Sequence, residues 1–310
     1  MIKCFILRLL LFIVITIIFY SIILIIAGSI LPNSINKNLK FKLGLTGFMN
    51  TRLKDVDKIS NSIDILFIGS SHAYRGFDTR YFNQKGFSSF NLGSSNQTPK
   101  QTELLLNEYL PKIKPKLVII EVYPEIFELD GIESSVDIIS NSNKITLAIK
   151  EAIRQKSIIS WNTLIYMIGY KFINKSFQED TIFEGDHYIN NQGFVESSKS
   201  NYFTKEPIDN KTWSPRHDQI ESFKKSINLL KELNIKYILV QAPLTKKLFE
   251  SYLNRYSIDS TFSQYGKYIN FNEINLNLID SIDFYDSNHL NQDGVIKFNS
   301  ELVRFIKNAK

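Results

Sequence analysis

The chain has 310 residues, a formal net charge of +6, 44% hydrophobic residues and 22% charged ones. That apolar share excludes a disordered or collagen-like chain, and 13 Gly with 8 Pro exclude low complexity. One cysteine, Cys4, excludes an intramolecular disulfide framework and a cysteine-based zinc site, and the scattered positive charge forms no Lys/Arg stripe of the kind nucleic acid requires.

Residues 9–27 read LLLFIVITIIFYSIILIIA, without a charge. This is close to the roughly 20 residues that a helix needs to cross a hydrocarbon core of about 30 Å. It exceeds the apolar stretch of a cleaved signal peptide, and Ile25-Ile26-Ala27 offers no small-residue cleavage site. Residues 1–31 are therefore expected to form a single-pass transmembrane anchor. Lys3 and Arg8 before it and Lys37, Lys40 and Lys42 after it barely discriminate orientation. The ordinary behaviour of N-terminal anchors puts the remaining chain outside the cytoplasm, and the lack of later cysteines fits an oxidising compartment. Residues 32–60, polar and basic, read as a stalk. Residues 61–310 read as one α/β domain.

Within that domain, residues 63–68 are an apolar run stopped by Gly69, and 89–92 a second run stopped by Gly93. Thr98 and Pro99 look like the cap and first position of a helix through Leu104, Leu105, Tyr109 and Leu110. Residues 116–122 (KLVIIEV) are the clearest buried strand. An amphipathic helix over 218–233 leads into a strand at 236–241. Residues 282–285 are expected to be a short fifth strand, and Asn291 to cap a closing helix carrying Val295, Phe298, Leu302 and Ile306. Five strands separated by helices predict a three-layer α/β/α fold with a mostly parallel sheet. Residues 130–215 interrupt this rhythm, helical and aromatic-rich over 145–172 and aperiodic over 178–215. They are either a cap over the strand ends or an irregular insertion.

Three short segments follow strand ends, where open α/β sheets bind ligands. Gly69-Ser70-Ser71-His72 places hydroxyls on a strand-to-helix turn. Asn91 to Thr98 contains Gly and Asn residues that tolerate positive φ and can turn amides toward a site. In Asp286-Ser287-Asn288-His289-Leu290-Asn291 an Asp three residues before a His can orient the imidazole, which can then take a proton from a serine. His72 is expected beside the nucleophile turn, and His187 and His217 on the surface. No spacing of ligands suggests a metal site.

These segments resemble the blocks of the SGNH/GDSL hydrolase family. Gly69-Ser70-Ser71 is similar to the family's Gly-Asp-Ser block, which makes Ser71 the matching nucleophile. Asn91 to Thr98 is similar to the second block, with Asn96 in register with its oxyanion glycine. Asp286 to Asn291 followed by Gly294 is similar to the final Asp-x-x-His-Leu-Asn block. The resemblance covers 61–130 and 216–310, and implies a five-stranded flavodoxin-like sheet. It further implies a serine esterase with a Ser71-His289-Asp286 triad, the Ser71 and Asn96 amides as oxyanion donors, and no cofactor. The family's third block, Gly-x-Asn-Asp, has no counterpart in Glu121-Val122-Tyr123-Pro124, so one oxyanion donor is missing, a loss that typically costs about 10²–10³ in rate. That departure and the N-terminal anchor resemble a membrane-attached branch that includes polysaccharide O-acetylation and D-alanyl transfer proteins. The branch implies an acylated small molecule or cell-surface glycan as substrate, with a multi-pass acyltransferase as a partner. The alternatives are an O-acyltransferase and a non-catalytic scaffold that retains the fold. The insertion over 130–215 is expected to determine substrate.

Overall fold

The computed structural model describes residues 2–31, 35–41, 43–44, 47–173, 185–200 and 207–308. Lys42 and parts of the aperiodic segment over 178–215 lie outside them. In chain order the elements are α1 (Ile2–Ile30), α2 (Met49–Lys58), β1 (Ile65–Ile68), α3 (Ser71–Gly76), α4 (Thr79–Gln84), β2 (Ser89–Asn91), α5 (Pro99–Ile113) and β3 (Leu117–Glu121). Then come α6 (Ile132–Asn141), α7 (Ile145–Gln155), α8 (Ile158–Ile173), β4 (Asp186–Tyr188), β5 (Val195–Ser197), α9 (His217–Glu232) and β6 (Lys236–Gln241). The chain closes with α10 (Lys246–Ser251), α11 (Arg255–Ser263), β7 (Tyr268–Asn270), α12 (Asp280–Asp283) and α13 (Gln292–Lys307).

Five of the strands form one sheet in the order β2-β1-β3-β6-β7, with every neighbouring pair parallel. Successive side chains point to opposite faces, so each strand feeds two cores. Leu66, Ile68, Val118, Ile120 and Leu239 pack with Leu105, Tyr109, Phe223 and Leu230 from α5 and α9. Ile65, Phe67, Ile119, Ile238 and Val240 pack on the other face with Phe77, Phe82, Phe298 and Leu302. Burial on both faces is why these strands read as unbroken apolar runs. The order reverses between β1 and β3, and a doubly wound sheet opens a crevice at the carboxyl ends of the strands flanking such a switch.

Three expectations change. The fifth strand is Tyr268–Asn270, not 282–285; Ile282 lies in α12 with its side chain half exposed, and Phe284 makes only an isolated bridge to Leu290. A short apolar run does not distinguish strand from helix, and β7 carries only one buried apolar side chain, Ile269, to announce it. Residues 32–60 do not stand off as a stalk throughout, because α2 packs Met49, Leu53 and Val56 into the first core. Thr98 stands at the start of α5, but its hydroxyl donates to the Gln101 side chain rather than capping the backbone.

The segment over 130–215 has several destinations. Helices α6, α7 and α8 build a small core of their own around Ile139, Ala148, Ala152, Leu164 and Met167. The β4–β5 hairpin instead covers the sheet edge, where Asn91 donates its backbone N–H to the Gln192 carbonyl at 2.9 Å. Gly193 at φ +78° allows this approach, since a Cβ there would lie 2.0 Å from the Asn91 carbonyl oxygen. Arg52 on α2, fully buried, clamps the hairpin by donating to the Gly193 carbonyl at 2.9 and 3.1 Å and to the Gly47 carbonyl at 2.5 Å. Arg52→Ala should leave those carbonyls without their guanidinium donor and lower stability by about 2–5 kcal/mol, read as a fall in Tm. An unchanged Tm would show that the clamp carries no stability.

Candidate active site

The first turn of the site follows from the end of β1. Gly69 has φ +150°, and a Cβ there would approach the Glu121 Cβ to 2.7 Å and its Oε2 to 2.9 Å. Only a glycine lets the chain leave β1 this close to β3. Glu121 ends β3 and is buried, and its Oε2 accepts both the backbone N–H of Ser70 at 3.1 Å and its hydroxyl at 2.7 Å. With its proton committed to Glu121, Ser70 Oγ accepts from the His72 backbone N–H at 3.3 Å and from His72 Nδ1–H at 3.2 Å. Ser70 thus caps α3 and fixes the turn, and its hydroxyl faces the interior of the sheet.

Ser71, the next residue, faces the other way. Its hydroxyl lies 2.8 Å from His289 Nε2, and His289 Nδ1 lies 2.8 Å from Asp286 Oδ2. A carboxylate is an acceptor only, so Nδ1 carries the proton and Nε2 is left to accept from Ser71. Asp286 Oδ1 also accepts the backbone N–H groups of Asn288 at 2.9 Å and His289 at 2.7 Å. Burial opposes ionisation of Asp286, but the His289 hydrogen bond and charge together with the two amides outweigh it, and its pKa lies below the ordinary carboxylate value. The His289 ring stacks with Tyr285 at 5.5 Å and 3° and with His72 at 4.8 Å and 21°. Burial first, and then the neighbouring His289, push the His72 pKa well down, so this ring packs as a neutral imidazole.

The second turn leans on the first through the Ser94 N–H, which donates to the Gly69 carbonyl at 3.1 Å. Asn96 has φ +48°, the conformation that a glycine adopts freely. Its side-chain amide is held by Glu133 Oε2 at 2.9 Å. Ser71, Asn96 and His289 line one cavity of about 280 Å³ together with Tyr123, Glu125, Asp130, Glu133 and Asn288. Neither the Ser71 nor the Asn96 backbone N–H has an acceptor among the described residues.

Of the four residues expected from sequence, Ser71, Asn96 and His289 thus line one cleft at the switch point, and Asp286 stands behind His289, bonded to its Nδ1. A hydroxyl bonded to an imidazole that is itself bonded to a carboxylate is the arrangement that activates an oxygen nucleophile. His187 and His217 are exposed, away from it. Of the 130–215 segment, Asp130, Gly131 and Glu133 reach the cleft. The aromatic rings of Tyr166 and Tyr170 pack on Phe41 instead. Among the described residues no cluster of His, Cys, Asp or Glu could hold a metal ion. Sequence reasoning missed Glu121, Tyr123 and Asn288. A lone carboxylate at the end of an otherwise apolar strand was the available signal for Glu121, because such a group needs a buried partner.

No family model matches the chain, and no curated protein matches it. Among solved structures it is similar to a Bacteroides fragilis protein described as a "putative acylhydrolase", with a TM-score of 0.38 and 11% identity over 85% of this chain and 97% of that one.

Burial pushes the Glu121 pKa from its ordinary 4.5 up to about 7, against the pull of the Ser70 hydrogen bonds. The folded state therefore holds this proton more tightly than the unfolded chain, and stability falls as pH rises from about 4.5 to about 7. At about 1.4 kcal/mol per pKa unit the loss is roughly 3 kcal/mol. Glu121→Gln keeps an acceptor for Ser70 and should flatten the Tm profile across this window. An unchanged slope would assign the pH dependence to other groups.

Proposed function

We propose that the protein is a membrane-anchored serine esterase of the SGNH type, acting on an extracytoplasmic acyl ester through Ser71, His289 and Asp286. The observation that carries this reading is the pair of 2.8 Å contacts linking Ser71 to His289 and His289 to Asp286, the first joining residues 218 positions apart. Ser71 Oγ attacks the acyl carbonyl carbon while His289 Nε2 takes its proton. The tetrahedral intermediate collapses, His289 returns the proton to the leaving alkoxide, and the acyl group stays on Ser71. Asp286 holds the imidazole tautomer and stabilises its charged form. Water, deprotonated by His289, then releases the acid. A sugar hydroxyl in place of that water would make the same enzyme an O-acyltransferase.

The Ser71 and Asn96 amides would receive the developing oxyanion. Asn288 would take the place of the donor missing from the third block: its carboxamide lines the cleft beside Tyr123, its side-chain partner, whereas that of Asn96 serves Glu133. The cleft suits a short acyl group by its volume of about 280 Å³. Among the described residues Asp130 and Glu133 line it, Glu125 is paired with Lys211 at its edge, and no Lys or Arg lines it, which favours a neutral or cationic substrate over an anionic one. A surface glycan bearing acyl esters fits these limits, and a multi-pass acyltransferase would be the source of such groups.

A fluorophosphonate should form one adduct per chain, and peptide mapping should find it on Ser71. Ser71→Ala should abolish labelling and lower ester hydrolysis by roughly 10⁶-fold. Asn288→Ala should retain labelling but lower kcat by about 10²-fold. An adduct on Ser70, or hydrolysis that survives Ser71→Ala, would overturn the assignment.

A further inference from the structure

Helix α8 presents two faces beyond the core. One meets α1. The Tyr20 hydroxyl donates to Asn162 Oδ1 at 2.7 Å, and Tyr166 Oη lies 3.4 Å from Ser29 Oγ. Small residues let the helices close up, since a Cβ on Gly169 would come within 2.4 Å of Ile25 and one on Gly28 within 2.4 Å of the Tyr166 ring. The other face is bare among the described residues. Ile158, Trp161, Ile168 and Phe172 are exposed, Phe172 by 86%. With the half-buried Ile165 they recur at steps of three and four, so they share a strip about 80° wide on a helix of 3.6 residues per turn. The neighbouring α7 exposes Ile145, Ile149 and Ile153, one turn apart. Scattered exposed apolar side chains are normal, but two ordered apolar stripes side by side are not.

What covers them is indicated by α1. This helix is long and apolar enough to span a bilayer, and none of its residues is buried. The residues through which it meets α8, among them Tyr20, Ile25, Gly28 and Ser29, fall in its last eleven residues. At 1.5 Å per residue that is about 16 Å, the depth of one leaflet. Trp161, Tyr166 and Tyr170 gather on α8, and amphipathic rings of this kind collect at the level of lipid headgroups.

We infer that α7 and α8 lie in the lipid–water interface, the bare face of α8 in contact with acyl chains, so that the catalytic cleft works at the bilayer surface. This rests on reading α1 as a membrane span. Helix α6 joins the two regions. Gly131 and Glu133 at its start line the cleft, and Ser135 Oγ lies 3.0 Å from Ser160 Oγ on α8. The ten residues of α6 are about 15 Å long. The substrate class that follows is an acyl ester borne by a molecule held at the membrane surface.

The test uses the full-length protein with Cys4→Ser, reconstituted in phosphatidylcholine and phosphatidylglycerol vesicles. A single cysteine is introduced by Ile168→Cys or Phe172→Cys and labelled with an NBD fluorophore. Phe12→Cys in α1 and Lys231→Cys on α9 serve as lipid and water references. Labels at 168 and 172 should show blue-shifted emission and loss of signal with doxyl-labelled lipid comparable to Phe12→Cys. If they match Lys231→Cys while Phe12→Cys is quenched by lipid, the inference fails and the anchor stands. If Phe12→Cys also behaves like Lys231→Cys, the anchor reading fails and takes the inference with it. Protection of 168 and 172 from both doxyl lipid and aqueous iodide would mean that protein covers the face, and would overturn the inference.

Discussion

One oxygen of one buried carboxylate, Glu121 Oε2, accepts both donors of Ser70, and the turn that presents Ser71 hangs on it. The contact forms because Gly69 brings β1 against β3 with no side chain between them. Reversing the roles of the two serines would send Ser71 into the sheet and Ser70 toward His289. The cost is a carboxylate out of water, which is why its pKa rises to about 7. Evidently the same group that positions the turn also limits stability at neutral pH and above.

Around that contact the site is assembled from distant parts of the chain. The β1 end contributes Ser71, the β2 end Asn96, and the loop before α13 Asp286 and His289. The parallel sheet brings them together because consecutive parallel strands all end on the same side. Stacking of His289 with Tyr285 and His72 holds the ring plane. The Asx turn at Asp286, in which Oδ1 accepts two backbone amides, frees Oδ2 for the imidazole. The carboxylate's hold on the imidazole is therefore built into a four-residue segment, while the ring plane also leans on His72 from the first turn.

That locality explains what could be read from sequence. Asp286 and His289, or Ser70 and Ser71, are neighbours whose spacing states their geometry. The apolar runs of β1, β3 and β6 state burial on two faces. Contacts between remote segments leave no such trace. Glu121 meets Ser70 across 51 positions and Arg52 meets Gly193 across 141, and neither pairing has a spacing to reveal it. Strand β7 was missed because the sheet edge demands little apolar pattern, and α2 because Met49, Leu53 and Val56 are too few to mark a helix inside a polar stretch. The bare face of α8 was legible as an apolar helix but not as a surface, since only the packed structure shows which side is left open.

The proposed acyl transfer through Ser71 predicts an intermediate that a scaffold cannot form. Mixing the purified protein with p-nitrophenyl acetate and following p-nitrophenol over the first turnovers measures that intermediate directly. A burst equal to one p-nitrophenol per chain, with an acetyl group recovered on Ser71 after acid quench, is the expected result. A release without burst and without an acetylated Ser71 peptide, under conditions where deacylation is slowed by low temperature, would contradict the account.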